Sequence, residues 1–301
     1  MKILCAVDGS QCSQWGVEAL SGLVDQRPSS LVLLHVVNTA VPRSLRAKDL
    51  AKAKQALAAA DKAGERVLDR MRGIATMALS EAVTGPRTRV RGRLVHGDVA
   101  KSIIRQADRQ KSDMVIVGSR GLTDAPSFLL GSVARKVFSL ANRSVLVVKR
   151  PLPEIKRVVL ALDGSTHAAA AGAFLRKDFL PQSAHVTVLA VAQPIVSDLA
   201  ASVLPLSQLR RLSKPVEDQA RQVAERCRER FLREGFEVET EVVTGHPVLN
   251  ILRYLERTGA DLVALGSRGL TGVERLVLGS VSEGILQHAP CSVLVVRKNP
   301  G

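Results

Sequence analysis

Aromatic residues are scarce in this chain: 3% of 301 residues, with one Trp and one Tyr. That scarcity argues against the aromatic platforms on which single-stranded nucleic acids stack. It leaves cores of Val, Leu, Ile and Ala, which suit parallel strands buried on both faces. Long apolar runs are also missing, since none nears the ~20 residues that a membrane helix needs. Met1 to Asp8 is too short and ends too acidic to read as a signal peptide. Four cysteines (Cys5, Cys12, Cys227, Cys291) show neither C-x-x-C nor zinc spacing. They read as free thiols in a reducing cytoplasm. The six histidines form no spaced ligand set. His35 sits inside an apolar strand, while His96, His167, His185, His246 and His288 fall at loops or element ends. No metal site and no catalytic residue is assigned.

Charge is abundant and uneven. The net charge of +15 divides into +13 for residues 1–150 (25 Lys/Arg against 12 Asp/Glu) and +2 for residues 151–301 (18 against 16). A basic half can attract polyanions, but without aromatic interleaving the simpler reading is solvated surface charge.

The strongest local signal is Gly266-Ser-Arg-Gly269, nine residues, then Gly279-Ser280. It recurs as Gly118-Ser-Arg-Gly121, nine residues, Gly131-Ser132. Each copy follows an apolar run and precedes a helical pattern. Strand, glycine-bracketed loop and helix start together make a phosphate cradle. The glycines are expected to turn the chain tightly and present bare N–H groups. The helix start adds its own unpaired N–H groups and positive dipole end. Ser280 is expected to cap the second of these helices. Arg120 and Arg268, in mid-loop, either clamp a phosphate or point to solvent.

In chain order, strands are expected at Lys2–Val7, Ser30–Val37, Thr88–Val95, Asp113–Val117 and Ser144–Val148. Helices are expected at about Gln14–Val24, Asp98–Gln110 and Ser132–Leu140, with one long helix or two over Ser44–Ala82. Lys149-Arg-Pro-Leu-Pro-Glu154 reads as an extended connector, so the domains are expected at 1–150 and 151–301. The pattern then restarts. Asp163-Gly-Ser165 matches Asp8-Gly-Ser10 at an offset of 155, and Gly266 matches Gly118 at an offset of 148. A tandem duplication follows. Alternating strands and helices force a parallel sheet with right-handed crossovers. The loops after the first and fourth strands then flank the switch point where such sheets bind ligands. Asp8 and Asp163, on the first of those loops, either serve that site or cap the following helices.

The paired motifs resemble the universal stress protein family in its tandem-domain form. The resemblance rests on Val7-Asp8-Gly9-Ser10 with Gly118-x-x-Gly121-x9-Gly131-Ser132, and on Asp163-Gly164-Ser165 with Gly266-x-x-Gly269-x9-Gly279-Ser280. It covers nearly the whole chain. It implies an α/β fold of two Rossmann-like (adenine nucleotide alpha hydrolase-like) domains, each a five-stranded parallel sheet with helices on both faces. It also implies an ATP-type nucleotide in each half, with any Mg²⁺ held through the phosphates, and pairing of the halves through their last strands. Carried over, Asp8 and Val36, with Asp163 and Val191, hold adenine and ribose. Gly118, Gly121, Gly131, Ser132 and Val133, with Gly266, Gly269, Gly279, Ser280 and Val281, hold ribose and phosphates.

Half one departs from that pattern. It has Thr123-Asp-Ala-Pro-Ser-Phe128 where half two has Thr271-Gly-Val-Glu-Arg-Leu276, so Asp124 and Pro126 stand where half two offers Gly272 and Arg275. The functional expectation is a nucleotide-dependent regulator or sensor, with a polyanion-binding module or a slow ATPase as alternatives. A ligase or sulfur-transfer enzyme is disfavoured because the Ser-Gly-Gly-x-Asp-Ser loop those enzymes carry is missing. On the third strands Arg87, Arg89, Arg91 and Arg93 alternate in half one, and Glu237, Glu239 and Glu241 in half two. They are either solvated edges or a head-to-tail contact between molecules.

Overall fold

The computed structural model describes residues 1–22, 28–39, 50–80, 88–122, 130–193, 205–269 and 279–297. Arg87, Asp124, Pro126, Gly272 and Arg275 lie outside them, as do Ser44 and Ala82, the expected limits of the long helix.

The chain divides into two compact units, Met1–Glu154 and Ile155–Lys298. Unit 1 runs β1 (Lys2–Ala6), α1 (Gln11–Glu18), β2 (Ser30–Val37), α2 (Leu50–Ser80), β3 (Arg89–His96), α3 (Val99–Arg109), β4 (Met114–Gly118), α4 (Ser132–Leu140) and β5 (Ser144–Val148). Its strands lie in the order β3-β2-β1-β4-β5, with each neighbouring pair parallel. Unit 2 repeats the plan with β6 (Arg157–Leu162), α5 (Thr166–Phe174), β7 (His185–Ala192), α6 (Leu206–Arg233), β8 (Glu237–Thr244), α7 (Pro247–Thr258), β9 (Leu262–Gly266), α8 (Ser280–His288) and β10 (Ser292–Val296). Its order is β8-β7-β6-β9-β10, again parallel throughout. In both units the order reverses beside the first strand, so the loops after strands one and four share one crevice.

The apolar runs are buried as a two-faced sheet requires. Ile3, Leu4 and Cys5 of β1, Met114 to Ile116 of β4 and Val145 to Val148 of β5 are at most 1% exposed. Burial also pushes the Cys5 thiol up to about 12, which makes it a core residue and not a nucleophile at neutral pH. The edge strands differ. Along β3, exposed Arg89, Arg91 and Arg93 alternate with half-covered residues, and Gly92 turns toward α2, where Arg72 and Leu68 lie. The third strands thus do stand at sheet edges. His35, inside β2, is half-buried with its Nδ1 2.8 Å from the Val7 carbonyl oxygen.

Helix limits depart from expectation where a cap was misread. The first helix begins at Gln11 and not Gln14, because Ser10 Oγ accepts from the Ser13 N–H. Asp98 caps α3 by accepting from Lys101 N–H at 2.9 Å. A π-helical turn, Leu175–Phe179, closes α5.

Candidate functional site

In each unit an Asp-Gly-Ser turn follows the first strand. Its glycine needs a left-handed backbone, with φ of 87° at Gly9 and 84° at Gly164. That turn sets the serine at the N-cap of the next helix. Ser10 and Ser165 accept from the N–H groups of Ser13 and Ala168. The alternative in which Asp8 and Asp163 cap these helices is therefore set aside. Each carboxylate instead bends back on its own turn. Asp8 Oδ1 accepts from Ser10 N–H and Asp163 Oδ1 from Ser165 N–H, both at 2.9 Å.

The capping serines also tie the first loop to the fourth. Ser10 Oγ donates to the Arg120 carbonyl at 3.3 Å, and Ser165 Oγ donates to that of Arg268 at 3.2 Å. Asp8 Oδ2 accepts from Leu122 N–H at 3.2 Å. In unit 2 a Cβ added to Gly269 would stand 2.8 Å from Asp163 Oδ2. Glycine at 269 leaves the room that this carboxylate occupies.

The glycines divide by role. A Cβ on Gly118 would meet the Cys12 carbonyl carbon at 2.7 Å, and one on Gly266 the His167 carbonyl carbon at 2.5 Å. These positions are glycine so that the fourth strand can touch the backbone of the first helix. The expectation that Gly266 is there to turn the chain tightly is thus corrected: its φ is not in the left-handed region. Gly279 is different. Its Cβ would meet nothing closer than 3.6 Å, an ordinary contact with Arg268 Cα. Packing does not demand glycine there.

A second correction concerns Ser280. The N-cap of α8 is Gly279, and Ser280 is its first helical residue. Gly131 caps α4 in the same way, and neither cap makes a side-chain hydrogen bond. Gly131 N–H and Gly279 N–H donate back to the Ser119 and Ser267 carbonyls, at 2.8 and 3.3 Å. The next amides, of Ser132 and Val133 and of Ser280 and Val281, belong to the first turn, which has no acceptor within its own helix. Ser132 and Ser280 are exposed, with Val133 and Val281 half-buried.

Val36 and Val191 are half-buried near the ends of β2 and β7. Val36 lies two residues beyond the Ala6–Leu34 pair, as Asp8 does on its own strand. Val191 and Asp163 each lie one residue beyond the Leu162–Ala190 pair. Arg120, Gly121 and Arg268 are half-buried in the fourth loop.

Sequence reasoning missed Arg297, the residue after β10. Burial, then the neighbouring Arg268, lowers its guanidinium to about 10. The available signal was its alignment with Lys149, the residue after β5, at the same offset of 148. Among the described residues no three His, Cys, Asp or Glu side chains form a group able to hold a metal, and no helix is long and apolar enough to cross a membrane.

Comparison with known proteins agrees with this geometry. The Universal stress protein family profile matches residues 1–149 and again 154–297. Universal stress protein YxiE of Bacillus subtilis is 30% identical over 148 residues, which are 47% of this chain and 98% of YxiE. A universal stress protein of Methanocaldococcus jannaschii is 30% identical over 146 residues, covering 48% of this chain and 82% of its own. The crystal structure of a universal stress protein from Archaeoglobus fulgidus shares the fold, with a TM-score of 0.67 and 22% identity over 98% of both chains. The chain belongs to the Universal stress protein family and carries the family's domain twice.

Proposed function

We propose that each unit binds an adenine nucleotide of the ATP type, and that the protein acts as a nucleotide-dependent regulator. The observation that carries this reading is the glycine-capped start of α8, with its twin at α4. Among the described residues its N-cap has no side-chain hydrogen bond, and its missing Cβ leaves space beside the Arg268–Gly269 backbone. Elsewhere in the same units Ser10, Asp98 and Ser165 cap helices with their own oxygens. An uncapped helix start with a positive dipole end is a site for phosphate.

The phosphates would lie against the amides of Ser132 and Val133, or of Ser280 and Val281. Arg120 in unit 1, and Arg268 with Arg297 in unit 2, would supply full positive charge. Asp8 and Asp163, beside Val36 and Val191, would accept from ribose or adenine. Mg²⁺ would enter with the phosphates and not through protein ligands. Pairing of the halves through their last strands and a cytoplasmic setting belong to the same proposal.

Mass spectrometry of ligand released from freshly purified protein tests it. An adenine nucleotide is expected. Protein that releases none and gives no heat with ATP in titration calorimetry overturns the reading.

A further inference from the structure

Unit 1 has a recess at the opposite end of its sheet from the nucleotide crevice. It has a volume of about 460 Å³ and is lined by Lys2 and Ile3 of β1, Ser30 and Val32 of β2, Arg91 to Arg93 of β3, and Gln110 and Ser112 after α3. The strand register explains the lining. Lys2 pairs with Ser30, Val32 with Arg91 and Leu34 with Arg93, so these side chains fall on one sheet face. Gly92, in between, turns its Cα toward α2 on the other face. The volume falls in the range of small-molecule sites.

Three cations, Lys2, Arg91 and Arg93, surround this recess, and none forms an ion pair among the described residues. Among the described residues the Asp113 carboxylate stands at this end of the sheet, its Oδ2 accepting from the backbone N–H of Lys2 at 2.7 Å. The carboxyl end of α3 adds only about half a negative charge. Net positive charge therefore remains, with two guanidinium forks suited to bidentate oxyanions. Unit 2 reverses the sign at the two β3 positions of this cluster. Glu239 and Glu241 stand at the aligned positions, and Tyr254, Thr187 and Glu239 bond to one another over the same sheet face.

We propose that this recess binds a small solute carrying two or more clustered anionic oxygens, at a site separate from the nucleotide crevice. The chemistry is shared by compact phosphate compounds and polycarboxylates. Concavity favours a small solute over a polyanionic chain, which a flat basic face would serve as well.

Titration calorimetry on the full chain, with ATP present throughout to fill the nucleotide crevices, tests the proposal. Inorganic pyrophosphate and citrate are the probes, and their relative affinity distinguishes the two sources. At least one is expected to bind. Arg91→Gln and Arg93→Gln should each weaken it about tenfold or more, the loss of a charge-assisted contact. Arg89→Gln makes the same charge change on the same strand face but outside the lining, and should leave affinity within about twofold. Amide shifts at Gly92 and Ser112 on adding the probe provide a readout that needs no variant. Failure of both probes to bind the wild type overturns the proposal. So does equal weakening in all three variants, which would mean diffuse surface charge, or binding only to a long polyanion such as heparin.

Discussion

The two units keep the same crevice and differ at the far face of the sheet. In unit 2, Thr187 Oγ1 donates to Glu239 Oε1 at 2.9 Å, and the Tyr254 hydroxyl lies 3.4 Å from each. Arg257 lies over the Tyr254 ring, 4.9 Å from its centroid, and reaches Glu241 at 3.7 Å. The aligned residues of unit 1 are Val32, Arg91, Gln106, Arg109 and Arg93. Gln106 is 5% exposed, and its Oε1 has no hydrogen-bond partner among the described residues. The bonded phenol is gone, the carboxylates have become guanidiniums, and the recess stands where the cluster was. The helix-to-sheet scaffold thus leaves this face free to change sign, while the Asp-Gly-Ser turn and the glycine-capped helix are fixed in both copies. The contrast separates what the fold requires from what each half does with it.

The largest expected effect is on nucleotide binding. Gly279→Val puts a side chain where the proposed phosphate would approach; among the described residues the nearest atom to its Cβ would be 3.6 Å away. Most ATP binding should be lost, by about a hundredfold or more in that site, the scale of losing several charge-assisted contacts. Gly131→Val should remove less of the total. Unit 2 has Arg297 beside Arg268 where unit 1 has Lys149, and its loop carries Gly272 and Arg275 where unit 1 has Asp124 and Pro126. Calorimetry on the two variants giving the opposite order would sink the claim that unit 2 binds better.

The glycine at the other end of the same loop should do the reverse. In Gly266→Ala the new Cβ would lie 2.5 Å from the His167 carbonyl carbon, which is helix backbone and cannot swing away. Destabilisation of about 3 kcal/mol is expected, at the upper end for overpacking. Gly118→Ala, at 2.7 Å from the Cys12 carbonyl carbon, should behave alike. Gly279→Ala should leave stability within about 0.5 kcal/mol of wild type. Urea denaturation of the three variants decides it; similar midpoints would mean that the strand and helix separate easily.

This division among glycines marks the limit of what the sequence could show. The strand-loop-helix order, the duplication and the crevice were legible because apolar runs, turns and spacing are local signals. The packing role of Gly118 and Gly266 went unread because contact with the backbone of Cys12 and His167 joins residues about 100 positions apart. Ser280 read as a cap because a hydroxyl beside a helix start usually is one; a one-residue shift gave that place to Gly279. Arg297 went unseen because its meaning comes from Arg268, a neighbour only in the folded chain. The alternation of Arg89, Arg91 and Arg93 was plain, but the recess beside them also takes Lys2, Gln110 and Ser112, which only the folded chain brings together.

A smaller effect sharpens the contrast on the far face. Tyr254→Phe keeps the ring under Arg257 and removes the hydroxyl from Thr187 and Glu239. Both distances are long at 3.4 Å, and Thr187 keeps its own bond to Glu239, so about 1 kcal/mol is expected. The same urea measurements check it. A loss above about 3 kcal/mol would show that the hydroxyl, and not the ring, holds this face together.

The smallest effect concerns the seam between each long helix and its edge strand. In unit 1, His96 Nε2 lies 2.7 Å from Asp61 Oδ1, joining the end of β3 to α2. In unit 2 the aligned Thr244 donates its hydroxyl to Glu217 Oε1 at 2.9 Å, joining β8 to α6. The same junction has been rebuilt from different residues, which suggests that the position of the tie counts for more than its chemistry. Both His96 and Asp61 side chains are about 40% exposed, so solvent screens the contact. Double-mutant cycles with His96→Ala and Asp61→Ala should give a coupling of about 0.2–1 kcal/mol. The Thr244→Val and Glu217→Ala cycle should fall at or below that range, because only one partner can be charged. The swap His96→Thr with Asp61→Glu should then leave unit 1 stable to within about 0.5 kcal/mol. A swap that loses more than about 1.5 kcal/mol would show that unit 1 depends on the imidazole itself, and that the two ties are not equivalent.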